Sequence, residues 1–157
     1  GGVRSMKTMK RSRVITASRP RSLALLGYTF LPGPSGDPSD WVLRQLQDPT
    51  QGFAWNGQAH YDSLGAATVD WVRAALCGLC GLEELEVGQA TAYATPGLEQ
   101  HTGPLALLVC GASPGGDAGV WGRSLCINAS TAQGAMFSYV QKARSMGWAV
   151  VVAAPHD

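Results

Sequence analysis

Five residues in the second half of the chain, Gly111-Ala-Ser113-Pro-Gly115, match G-x-S-x-G, the spacing that presents a serine nucleophile on a sharp strand-to-helix turn. Two chemical facts argue against that role. The residue after such a serine must donate its backbone N–H to the developing oxyanion, and Pro114 has none. The turn must also run straight into a helix, and Gly115-Gly116-Asp117 is a poor helix start. The same stretch offers a different chemistry. With Gly111, Gly115, Gly116 and Gly119 the backbone is free to aim successive N–H groups at one point. Cys110, Gly111, Gly115 and Gly116 therefore form a candidate anion or oxyanion loop. A connector that merely lets the chain turn accounts for the same glycines.

The other reactive residue types are sparse. Cys77 and Cys80 form one C-x-x-C, with no second pair and no paired histidines to complete a zinc site. A redox pair belongs at a helix start after a strand, whereas this one closes a helical pattern. The four cysteines, Cys77, Cys80, Cys110 and Cys126, read as buried thiols of an intracellular protein, and no cofactor or metal is expected. His60, His101 and His156 have no catalytic partner at fixed spacing and read as surface. Asn128-Ala-Ser130 matches a glycosylation acceptor without any apolar stretch suited to a secretion signal.

The elements that would position the glycine loop follow from periodicity. Leu105 to Cys110 is an unbroken apolar run between Pro104 and Gly111, which predicts a fully buried strand. Trp148–Ala154, WAVVVAA, predicts another. A helix is predicted between them from Thr131 to Met146, capped by Thr131 and stopped by Gly147. Strand, helix, strand is a βαβ unit, so these two strands should be parallel. A long helix is predicted from Asn56 to about Cys80, with Asn56 as cap and an apolar face through Leu64, Thr68, Val72 and Leu76. Residues 82–87 predict a strand and 90–94 a short one. Residues 23–30 read as extended, 31–40 as a proline-rich loop, and 40–47 as a short helix capped by Asp40.

Composition bounds the whole. The chain has 157 residues, 45% hydrophobic and 15% charged, enough for one domain with a core. The net charge of +1 conceals an asymmetry: residues 1–22 carry seven basic and no acidic side chains. This leader is expected to be disordered, with 23–157 as the folded part. Arg4, Lys7, Lys10, Arg11 and Arg13 are its candidate nucleic-acid or nuclear-import contacts; a mitochondrial transit peptide is a third reading of the leader. No run of 18 apolar residues suggests a membrane span.

Taken in order, GYTF (27–30), FAWN (53–56), YDSLG (61–65), LALLVCG (105–111), GVWGRSLCIN (119–128) and WAVVVAAP (148–155) resemble the Argonaute-binding protein 2 domain family. Trp55, Asn56, Tyr61, Leu64, Gly65, Trp121, Arg123, Leu125, Ile127 and Asn128 fall on the family pattern. The resemblance covers 27–157. It implies a partial α/β-hydrolase-like fold: a three-layer α/β sandwich with a mostly parallel sheet, truncated before the nucleophile elbow. The family's His-Gly is Cys110-Gly111 here, and its Asn-Pro-Asn is Ala154-Pro155-His156; both departures weigh against an oxyanion-hole function. The resemblance implies a non-catalytic interaction domain. Its partners would be Argonaute, or chromatin or splicing factors, and its place the nucleus, with the cytoplasm as alternative. Two other readings stand beside it: a serine hydrolase of the α/β class whose nucleophile lies beyond Asp157, and a truncated paralogue without function.

Overall fold

The computed structural model describes residues 9–11, 22–111 and 117–154. Seven strands and four α-helices are defined among them: β1 (Met9–Arg11), β2 (Tyr28–Pro32), β3 (Trp41–Gln45), α1 (Gln58–Gly78), β4 (Glu83–Val87), β5 (Ala90–Ala94), β6 (Leu105–Val109), α2 (Arg123–Asn128), α3 (Thr131–Gly134), α4 (Phe137–Ser145) and β7 (Ala149–Ala153). The class is mixed α/β with two sheets.

The larger sheet has the order β1-β4-β5-β7-β6. It is mixed, not mostly parallel as expected. β6 and β7 are parallel, Leu105 to Val109 running beside Ala149 to Ala153. The β1–β4, β4–β5 and β5–β7 pairs are antiparallel. The cause is local. Gly88, at φ +65°, and Gln89 close a two-residue hairpin between β4 and β5, and a tight hairpin can join only antiparallel strands. Met9–Arg11 pair with β4, so part of the basic leader is ordered as an edge strand rather than disordered throughout.

The register divides the sheet into two faces. Tyr93, Val150 and Val152 join one core with Leu64, Val72 and Leu76 of α1 and Phe137 and Val140 of α4. The opposite face carries Leu105, Leu107 and Val109 beside Ala149, Val151 and Ala153. There β6 is not the fully buried strand that its composition predicts. Leu107 is 60% exposed, and Leu105 and Val109 are exposed as well, because β6 is an edge strand with only β7 as neighbour. An apolar run reports that a strand avoids charge, not that both faces are covered.

Other expectations change. The 40–47 stretch holds the strand β3, not a helix. Trp41–Gln45 pair antiparallel with β2, and Phe30 and Leu43, opposite each other, are both buried. The single helix predicted over 131–146 is two, α3 and α4, broken at Ala135. There Ala135 bridges Val120, and the Met136 N–H donates to the Gly119 carbonyl at 2.8 Å. Thr131 does not cap the helix with its side chain. It is fully buried, donates to the Ser39 carbonyl at 2.7 Å and accepts from the Trp41 N–H at 2.8 Å, tying α3 to the small sheet. On α4 and just after it, Tyr139 and Met146 are exposed, while Phe137, Val140 and Ala143 are buried.

Helix α1 is the spine of the core. Leu64, Thr68, Val72 and Leu76 recur at four-residue steps and are fully buried. Its cap falls one residue later than expected. Gly57, at φ +88°, is the cap residue and Asn56 contributes no capping bond.

Candidate functional site

The glycine loop leaves the C-terminal end of β6, next to β7. Cys110 is buried, and its N–H donates to the Ala153 carbonyl at 3.5 Å. Gly111 is exposed with open space around its α-carbon, so nothing there demands glycine. Gly115 and Gly116, with Ser113 and Pro114, lie outside the described residues. The loop rejoins the core at Asp117.

From Asp117 onward the loop is fixed rather than open. Gly119, at φ +87°, sits against α1, where a β-carbon would come within 2.7 Å of Leu76 Cδ1. The Val120 N–H donates to the Asp117 carbonyl, and the Trp121 and Gly122 N–H groups both donate to the Gly134 carbonyl, at 2.8 and 3.2 Å. Those three donors are spent inside the fold and are not available to an anion. Asp117 also places a carboxylate at this end of the loop. Arg123 neutralises it with two bonds from one guanidinium, Nε at 2.9 Å and Nη2 at 2.8 Å to the same oxygen.

Arg123 joins two of the sequence motifs. Gly65 is buried on α1, and a β-carbon there would lie 3.5 Å from Arg123 Cδ. That is ordinary van der Waals contact, so the arginine stem packs on the helix here without the position requiring glycine. Trp121 stacks edge-on against Tyr139 at 5.5 Å between centroids, and both rings are exposed. Asn128 ends α2, its Nδ2 donating back to the Ser124 carbonyl at 3.1 Å. In the other motif, Trp55 lies 5.6 Å from Tyr61, which also meets Phe53 edge-on at 5.6 Å. Asn56 is exposed.

The environments of Cys77, Cys80 and Cys126 disfavour their thiolates. None of the four forms a disulfide. Burial pushes Cys126 up to about 12 and Cys80 up to about 11. Burial, then Glu84 and Glu83, raises Cys77. These directions oppose what a nucleophilic or redox thiol requires. His60 is half-buried rather than on the polar face; its Nε2–H donates to the Leu26 carbonyl at 3.4 Å. His101 Nε2–H donates to the Pro104 carbonyl at 2.8 Å and steadies the turn into β6. His156, Pro155 and the basic residues Arg4, Lys7 and Arg13 lie outside the described residues; Lys10 and Arg11 are in β1. Among the described residues no cluster of three metal-ligating side chains occurs, and no helix is long and apolar enough to cross a membrane.

Sequence reasoning missed two residues that organise this region, Asp117 and Gly134, and read Gly119 as loop freedom rather than as a close approach to α1. Asp117-x₅-Arg123 carried no recognisable spacing, and the reason for Gly134 appears only when α2 and α3 are in contact. Compared with family models, curated proteins and solved structures, the chain matches none of them.

Proposed function

We propose that this chain is a non-catalytic interaction domain of the Argonaute-binding protein 2 type. It would act in the nucleus, in small-RNA-linked gene silencing or in chromatin or splicing regulation. The observation that carries the reading is the meeting of Gly65 and Arg123. Two motif residues 58 positions apart in sequence lie against each other, the Arg123 stem over α1 at Gly65, with Asp117 holding the guanidinium. Contact between the two motif segments is what a shared family framework requires. The exposed Trp121 and Tyr139 pair supplies the kind of aromatic surface that protein partners use.

The same residues support the hydrolase-like fold at the level of topology. Counted from the β4–β5 hairpin, β6 is the third strand, and the loop after it leads to a helix. That is the loop from which α/β hydrolases take one oxyanion donor. Here the Val120, Trp121 and Gly122 N–H groups are already bonded internally and Cys110 is buried. A scaffold used for binding accounts for this better than a working oxyanion hole does. Proximity labelling in cells expressing the tagged chain tests the proposal. Enrichment of Argonaute, chromatin or splicing proteins supports it. A labelled set indistinguishable from an untethered control refutes it.

A further inference from the structure

A cleft of about 440 Å³ opens where the start of α1 meets the small β2–β3 sheet. Its size falls within the range of small-molecule sites, about 300–1,000 Å³. Tyr28, Gln45, Gln47, Trp55, Asn56 and His60 line it, and among the described residues no Asp, Glu, Lys or Arg does. A ligand held here gains nothing from carrying charge. What the cleft provides is an aromatic face and carboxamides.

The aromatic face is Trp55. It is 62% exposed, yet anchored by Tyr61 at 5.6 Å, so one side of the indole is backed by protein and much of the ring remains open. The carboxamides differ in availability. Gln45 Nε2 is committed to the Gly52 carbonyl at 2.9 Å. Gln47 and Asn56 are exposed. The Tyr28 hydroxyl is engaged with Ala54, accepting from its N–H at 3.1 Å. On His60, the Nε2–H bond to Leu26 leaves Nδ1 as an acceptor, and this buried atom has no partner.

An aromatic platform beside free carboxamides matches one ligand chemistry well. Flat bases stack on exposed indoles. A carboxamide pairs bidentately with adenine through its amino group and N7, giving and accepting one hydrogen bond. We propose that this cleft binds an unpaired adenine base, stacked on Trp55 and paired with Asn56 or Gln47. The base is the recognised unit, and its source is a free nucleoside or a single strand of RNA. This inference stands on the cleft alone and does not depend on the Argonaute-type reading.

The test is NMR titration of the intact 157-residue chain with adenosine, uridine and a short adenine oligoribonucleotide. Adenosine is expected to shift the Trp55 indole and Asn56 carboxamide signals saturably, more strongly than uridine. Adenosine carries no phosphate, so its affinity should be unchanged between about 50 and 200 mM salt. Trp55→Ala removes the platform and should weaken binding about tenfold or more; Trp55 is exposed, and circular dichroism confirms that the variant is folded. A tighter oligonucleotide than nucleoside identifies single-stranded RNA as the source, and equal affinities identify the free nucleoside. Absence of saturable shifts at Trp55 and Asn56 up to about 10 mM adenosine overturns the proposal. So does a folded Trp55→Ala variant that binds as tightly as the unaltered chain.

Discussion

Gly134→Ala puts the fold's account of the 117–136 segment under the sharpest stress. Gly134 is buried where α3 crosses α2, and its backbone is not in the left-handed region, so alanine meets no conformational penalty. The penalty is contact. A β-carbon would collide with the Cys126 backbone nitrogen and lie 2.6 Å from Cys126 Sγ and 2.9 Å from the Leu125 carbonyl carbon. Two of the three atoms are backbone and cannot rotate aside. To recover an ordinary separation of about 3.5 Å, the two helices must part by roughly 1 Å. Such overpacking costs about 1–3 kcal/mol. The movement also stretches the Trp121 and Gly122 bonds to the Gly134 carbonyl, each worth about 1 kcal/mol. The expected loss is about 3 kcal/mol, a fall in Tm of about 6–12 °C for a chain of this size. Gly78→Ala is the matched control. Open space surrounds its α-carbon at the end of α1, and Tm should hold or rise slightly. Thermal melts by circular dichroism read both. A Gly134→Ala protein melting within about 2 °C of the unaltered chain refutes the contact geometry.

Other outcomes follow from single features. Thr68 is fully buried on α1 with its hydroxyl unpartnered, so the isosteric Thr68→Val should raise stability by about 1 kcal/mol in urea titration; a loss instead means the hydroxyl has a partner. Cys126 holds its proton far above the ordinary 9.0, so the folded state resists thiol ionisation that the unfolded state undergoes. Stability from this term is full below pH 9 and falls as pH climbs toward 12; Cys126→Ser should flatten that alkaline limb, and iodoacetamide at pH 8 should reach Cys126 only in denaturant. Leu107 is exposed on an uncharged edge strand, so Leu107→Lys should raise solubility, measured by sedimentation, with Tm essentially unchanged.

Much of the framework was legible because its signals are local. The α1 stripe at Leu64, Thr68, Val72 and Leu76 needs only a 3.6-residue period, and WAVVVAA needs only β-branched residues between a glycine and a proline. The parallel pairing of β6 and β7 followed from the helix between them. What failed depends on neighbours that periodicity does not encode. The exposure of Leu107 is decided by β6 having no partner on its outer side. Trp41–Gln45 becomes a strand because β2 lies beside it, overriding a weak helical pattern. The break between α3 and α4 is imposed by Val120 and Gly119 bonding into it. Trp55, Tyr61, Gly65 and Arg123 were singled out by their order in the sequence, but the contact of Gly65 with Arg123 was not foreseen. Gly65 and Arg123 share no spacing rule, and Asp117 carried no signal that it would hold the arginine.

Capture from nuclear extract by the immobilised chain, read by quantitative mass spectrometry, tests the central claim most directly. The account predicts that Argonaute, or chromatin or splicing proteins, are retained well above a scrambled-sequence control. Retention should survive high salt, since folded surface rather than the basic leader would hold them. Recovery of none of these above background contradicts the claim. So does capture that disappears entirely when the basic residues outside β1, Arg4, Lys7, Arg13, Arg19 and Arg21, are changed to glutamine.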